Sequence, residues 1–167
     1  MSLDKLLLLG DPELYLKSDP VNYSEVKELK EVVKALHKTL MEFREKYNAG
    51  RAIAAPQIGI KKRLIYVHLE KPVVLINPRI QNKSESMIEV WDDCLCFPEL
   101  LVKVKRHKSC TVQYFDMEFK EHSWDLEGDM AELLQHEYDH LDGILATQKA
   151  IDSKSFKHRP NIYKRLK

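Results

Sequence analysis

Two histidines four positions apart, His136 and His140, can grip one metal ion only if the chain between them is helical. In an α-helix, positions i and i+4 project from the same face. The residues between them are Glu137-Tyr138-Asp139, and a glutamate after the first histidine is placed to take a proton from a water beside such a metal. Leu133, Leu134 and Leu141 give the stretch an apolar side, so the pattern predicts a helix over Gly128–Leu141 with one side buried. The plain alternative is a polar helix surface with unrelated histidines; the leucines weigh against it.

Two imidazoles leave a hydrolytic metal one protein ligand short, because catalytic sites usually take three and keep one position open. His122 lies in a polar segment and reads as a loop histidine, and His158 sits in a basic tail. Cys94 is the better candidate, within Trp91-Asp92-Asp93-Cys94-Leu95-Cys96-Phe97-Pro98. Taken alone, a cysteine in such a segment is more often a small core residue. The three cysteines, Cys94, Cys96 and Cys110, are an odd number in a chain without a secretion-type leader, which fits reduced cytoplasmic thiols. The Cys94-x-Cys96 spacing is too short for a structural zinc knuckle.

The rest of the chain has no repeats and no Pro/Gly/Ser-rich linker, and 167 residues suit one domain. Val26, Leu29, Val33, Leu36, Leu40 and Phe43 recur at helical spacing and predict a long helix over Ser24–Tyr47. Asn22 or Ser24 is its N-cap, and Asn48-Ala49-Gly50 ends it, with Gly50 free to turn left-handed. Strands are predicted at Leu64–His68, Val73–Asn77, Ile88–Trp91, Leu100–Lys105 and Cys110–Phe115, with an exposed turn at Lys83–Ser86. Helix, strands, then helix is an α+β order. A formal net charge of +1 gives no pull toward nucleic acid or membrane. No apolar stretch approaches the ~20 residues that span a bilayer.

Three segments taken together resemble the peptide deformylase family. They are Gly50-Arg51-Ala52-Ile53-Ala54-Ala55-Pro56-Gln57, then Asp92-Asp93-Cys94-Leu95-Cys96, then Gln135-His136-Glu137-Tyr138-Asp139-His140-Leu141-Asp142-Gly143, in the family's order. Gly10-Asp11-Pro12-Glu13-Leu14 is similar to the family's start, so the resemblance runs from about residue 8 to 148. It implies mostly antiparallel sheets around a central, C-terminal metal-binding helix. It also implies that Cys94 joins His136 and His140 as third ligand of one divalent metal, Fe²⁺ in the cell, with Zn²⁺, Ni²⁺ or Co²⁺ possible on isolation. Glu137 would be the general base, and the Gln57 side-chain amide with the Leu95 backbone N–H would be the oxyanion donors. The implied substrates are formylated N-termini of nascent chains, with Arg51, Ala52, Ile53, Asp93 and Leu133 lining their binding cleft.

Several positions depart from the family pattern. Ala52 replaces a glycine, so a positive φ there would be costly. Arg51 stands where a small apolar residue is usual, and a buried guanidinium must point outward or pair with an acid. Asp92 replaces Glu, Asp93 replaces Gly and Cys96 replaces Ser, and Asp129 stands where leucine is common. Asp92 is expected to pair with Arg106. The basic tail over residues 154–167, with Lys154, Lys157, Arg159, Lys164, Arg165 and Lys167, is either a solvated end or a contact to ribosomal RNA. Two other readings remain: a catalytically silent relative that binds modified N-termini, and a zincin-type endopeptidase, which would need a third ligand after His140.

Overall fold

The computed structural model describes residues 3–160. In chain order its elements are α1 (Leu29–Tyr47), β1 (Ala52–Ala54), β2 (Leu64–His68), β3 (Pro72–Gln81), β4 (Met87–Asp92), β5 (Leu100–His107), β6 (Ser109–Phe115), β7 (Glu121–Glu127), α2 (Asp129–Leu141) and β8 (Phe156–His158). Five strands form one antiparallel sheet in the order β1-β2-β3-β6-β7, and three form a second in the order β4-β5-β8. The class is α+β, as expected.

The larger sheet lies between the two helices, and its residue alternation shows why. Leu36, Leu40 and Phe43 of α1 pack with Ile53, Leu64, Tyr66 and Ile76. Leu133, Leu134 and Leu141 of α2 pack with Ala52, Ala54, Ile65, Val67 and Leu75, the residues pointing the other way. Strand β2 is therefore apolar without alternation, Leu-Ile-Tyr-Val, because both of its faces are covered. Burying a side chain such as Phe43 contributes ~1.5–3 kcal/mol. The alanines of β1 let α2 approach this sheet edge closely.

Several boundaries differ from expectation, each for a local reason. Helix α1 begins at Leu29 rather than Ser24, because Tyr23–Glu25 close a 3-10 turn. The Glu25 carboxylate accepts there from the Asn22 N–H at 2.7 Å and from Lys62 at 2.6 Å. The residue that ends α1 in left-handed conformation is Asn48, with φ 51°, ahead of Gly50. Strand β3 continues past Asn77 through an irregularity between Ile76 and Arg79. Asn77 has φ 49° there, its side chain bonds both the N–H and the C=O of Val21 at 2.8 Å, and Pro78 has no N–H to give. His122 is not in a loop: it lies on β7, with its Nε2 2.6 Å from Asp116 Oδ2. The tail is not wholly loose, since β8 pairs with β5; Lys164, Arg165 and Lys167 lie outside the described residues.

The turn after α2 depends on one glycine. Gly143 has φ +71°, and a Cβ on it would stand 2.5 Å from the Tyr15 carbonyl oxygen. The Ser18 N–H donates to Leu141 O at 2.9 Å in the same crossing. Gly143→Ala adds left-handed strain to a backbone clash and should destabilise the fold by ~2–4 kcal/mol. Urea unfolding checks this: an unchanged midpoint would contradict it.

Candidate metal centre

The C-terminal half of α2 carries His136, Glu137 and His140 on the side facing the β4–β5 connection, which supplies Cys94. The ligand atoms of Cys94, His136 and His140 all lie within 4.8 Å of one another. His140 Nε2 is 3.3 Å from both Cys94 Sγ and His136 Nε2. All three residues are buried. One thiol and two imidazoles converging in this way form a donor set suited to a borderline divalent ion.

His136 is oriented from behind. Its Nδ1 lies 3.0 Å from Asp92 Oδ2, which leaves Nε2 to face the centre. Asp92 also accepts from Arg106 at 2.5 Å, and Arg106 bonds Asp139 of α2 at 2.5 Å. Asp139 is held in turn by Lys149 at 2.8 Å. The expected Asp92–Arg106 pair is thus present, but it is buried, with the Arg106 side chain 2% exposed, and not a surface bridge.

Burial and neighbouring charges shift the titration of Asp92, Cys94, His136, Glu137 and His140. Burial, with Cys96 beside it, pushes the Cys94 thiol well above its ordinary range. Burial likewise pushes the Glu137 carboxyl up to about 7, partly opposed by His136 and reinforced by Asp92. Burial works to lower His136, but the Asp92 carboxylate outweighs it and lifts the imidazole to about 9. Burial, His136 and Arg106 together hold His140 well below its usual value. For Asp92, burial is outweighed by His136 and Arg106, which hold its carboxyl far below the usual range. Glu137 Oε2 is buried and has no hydrogen-bond partner in the structure. A divalent ion among these donors would stabilise the thiolate and displace the His136 proton. The residues fit a metal.

Around the donors, Gln57 is fully buried. Its Oε1 accepts from the Ala54 N–H at 2.8 Å, which fixes the amide so that Nε2 points to Cys94 Sγ at 3.5 Å and Cys96 Sγ at 3.4 Å. The Leu95 N–H donates to no other group among the described residues. The N-terminal segment ties both elements together: Leu7 N–H bonds Gln57 O at 2.8 Å and Leu9 N–H bonds Cys96 O at 2.9 Å.

A cavity of about 40 Å³ borders Cys94, His136 and Glu137 and is walled by Arg51, Ala52, Asp93 and Leu133. That is room for a few waters. Ile53 is not on its wall; the side chain is fully buried against α1. Ala52 lies in β1 and has no positive φ, so the missing glycine costs nothing there. Arg51 pairs with an acid, Glu132, at 2.6 Å. Sequence reasoning missed Glu132 as a wall residue, although it precedes His136 by one helical turn and so shares its face. It also missed Asp139 and the bond from Asp92 to His136. Asp129 is exposed at the start of α2, where an acid suits the helix dipole.

The family model of polypeptide deformylase matches residues 3–156. Among curated relatives, a peptide deformylase of Chlorobaculum tepidum is 38% identical over 160 residues, covering 89% of this chain and 82% of its own. One from Erythrobacter litoralis is 32% identical, covering 87% and 88%. Among solved structures, the peptide deformylase of Thermotoga maritima aligns with a TM-score of 0.80 at 30% identity, covering 88% of this chain and 97% of that one. The Synechococcus elongatus peptide deformylase in complex with actinonin aligns with a TM-score of 0.81 at 31% identity, covering 89% and 79%.

If Asp92 orients His136, then Asp92→Asn should weaken metal retention ~10–100-fold, as loss of a ligand's hydrogen-bond partner does. Chelator competition on the metal-loaded protein measures it; a curve matching the parent would remove that role from Asp92.

Proposed function

This chain belongs to the polypeptide deformylase family, and from that premise we propose that it removes the formyl group from N-formylmethionyl peptides with one divalent metal held by Cys94, His136 and His140. Like its family it is a hydrolytic enzyme. The observation that carries the reading is Glu137, a buried carboxylate with an unpartnered oxygen beside three converging metal donors.

The metal, when bound, supplies Lewis acidity that makes water nucleophilic near neutral pH and polarises the formyl oxygen. Glu137 takes the proton of the attacking water on its unpartnered oxygen and passes it to the departing amine nitrogen. The Gln57 amide and the Leu95 N–H donate to the oxygen on which negative charge develops, and loss of one such donor costs ~10²–10³ in rate. We take Fe²⁺ as the ion in the cell from the family resemblance; the donor set of one thiolate and two imidazoles suits Zn²⁺, Ni²⁺ or Co²⁺ equally.

Arg51, Ala52, Asp93 and Leu133 line the path of the formylated peptide, and Ile53 supports that wall from the core. The Arg51–Glu132 pair stands on this wall, with the Arg51 side chain 37% exposed, so a peptide side chain in the cleft meets a charged pair there. The reading puts the enzyme in the cytoplasm, on nascent chains; among the described residues, no helix is long and apolar enough to cross a membrane. Lys157 lies over the Trp91 ring at 4.0 Å and Arg159 is paired with Asp93. A ribosome contact through the basic tail would therefore fall mainly to Lys164, Arg165 and Lys167, outside the described residues.

Glu137→Gln keeps the shape of the site and removes the base. It should lower kcat on a formyl-Met peptide by ~10²–10⁴ while bound metal is unchanged. Turnover at the parent rate would sink the assignment; a parent enzyme that binds formyl peptides without cleaving them would favour the silent relative. The base works only when ionised, so kcat/KM should fall as pH is lowered. The midpoint should lie between the ordinary glutamate value of 4.5 and about 7, with a nearby cation drawing it downward. A rate that climbs with acid across that interval would contradict the role.

A further inference from the structure

Strand β8 pairs with the start of β5, matching Leu100 with His158, Leu101 with Lys157 and Val102 with Phe156. The next residue, Arg159, turns onto the segment that precedes β5. Its N–H bonds Glu99 O, its Nε bonds Pro98 O and its Nη2 bonds Asp93 Oδ2, each at 2.8 Å. One residue thus grips both ends of Asp93–Glu99. Between those ends lie Cys94 and Leu95.

That segment is held by packing more than by bonds of its own: Cys94, Leu95, Cys96 and Phe97 are buried, and Gln57 Nε2 reaches both cysteine sulfurs. It contains no strand or helix, and its internal ties are the Phe97 N–H to Cys94 O at 3.2 Å and the Cys96 N–H to Cys94 Sγ at 3.5 Å. Asp92 anchors it from behind through Arg106 and His136, and Leu9 holds Cys96 O. On the open side, Arg159 spans it. We propose that Arg159 is a positioning residue for the metal centre, using three bonds to hold the Asp93–Glu99 segment so that Cys94 Sγ stays with His136 and His140. The proposal rests on Cys94 being a ligand, as read above.

A mere surface ion pair would not do this. The Asp93 side chain is 42% exposed, and such a pair in water holds little. The Arg159 side chain is only 20% exposed, and its Nε and Nη2 serve two acceptors at once. A lysine ammonium cannot reproduce that planar fork.

The test uses the full chain loaded with Co²⁺, read by the thiolate-to-cobalt absorption band and by chelator competition. Arg159→Ala should shift the band and release the ion at ~10-fold or more lower chelator concentration. Arg159→Lys should recover part of the loss. Asp93→Ala should lose less than Arg159→Ala, because the bonds to Pro98 and Glu99 persist. An Arg159→Ala protein whose band and competition curve overlay the parent's overturns the proposal. Should that variant not fold, parent-like behaviour of both Arg159→Lys and Asp93→Ala overturns it equally. Cys94→Ala separates the two readings: if it keeps the band, the ligand assignment itself fails, whatever Arg159 does.

Discussion

A guanidinium removed from water has to be matched charge for charge, and Arg106 is matched twice, by Asp92 at the end of β4 and by Asp139 on α2. Isolated burial of such a group would cost several kcal/mol, so the two carboxylates cannot drift from it. This fixes the small sheet against the helix. Asp92 then has one oxygen shared between Arg106 and His136, and Cys94 follows it by two residues. The pair therefore sets the orientation of one imidazole and the starting point of the thiol loop together. Among the described residues Arg106 Nε has no partner, while its other two nitrogens are each held by a carboxylate.

Several departures from the family pattern are met by a partner on another element. Arg51 in front of β1 meets Glu132, one turn before His136 on α2. Burial and Asp92 push the Glu132 carboxyl up, and Arg51 opposes them, so the arginine is part of what keeps that wall of the cleft charged. Asp93 meets Arg159 beyond β8. Ala52 sits in extended backbone, where a Cβ is no burden, and its small size suits the approach of α2. Cys96 packs in the small-sheet core beneath Gln57, giving that amide a second sulfur to face.

How much of this was legible in the chain follows from the range of the forces involved. Periodicity reported α2, the buried stripe of α1 and the strands β2 to β6, because those patterns are local, but not the three-residue β1. It misplaced the start of α1, where the Asn22–Glu25 bond closes a 3-10 turn ahead of the helix and Lys62, from another part of the chain, bonds the same carboxylate. It missed β8, an exposed edge strand of Phe-Lys-His whose pairing depends on β5. Strand β7 was readable after all: His122, Trp124 and Leu126 alternate with Ser123, Asp125 and Glu127, but the charges masked the rhythm. His136, Glu137 and His140 stood out because their spacing puts them on one side of a helix, whereas Cys94, 42 residues upstream of His136, was singled out through the resemblance; the fold brings the three donor atoms within 4.8 Å of one another. Asp139, Glu132 and Arg159 did not stand out, because their roles are defined only by what faces them.

The electrostatics make the metal more than a convenience for the reaction. With Cys94 raised by burial and Glu137 raised by burial, the site disfavours the two anions that hydrolysis needs. His136, lifted by Asp92, carries the only positive charge directed into the donor set from within it. With a divalent ion held by Cys94, His136 and His140, all three tendencies would be reversed: the thiol would ionise, the glutamate pKa would fall and the imidazole would give up its proton. The burial that makes Glu137 a weak acid in the free protein would be offset by the same ion, so loading and ionisation of Glu137 would be coupled, through how tightly Asp92 and the Asp93–Glu99 segment hold the donors in register.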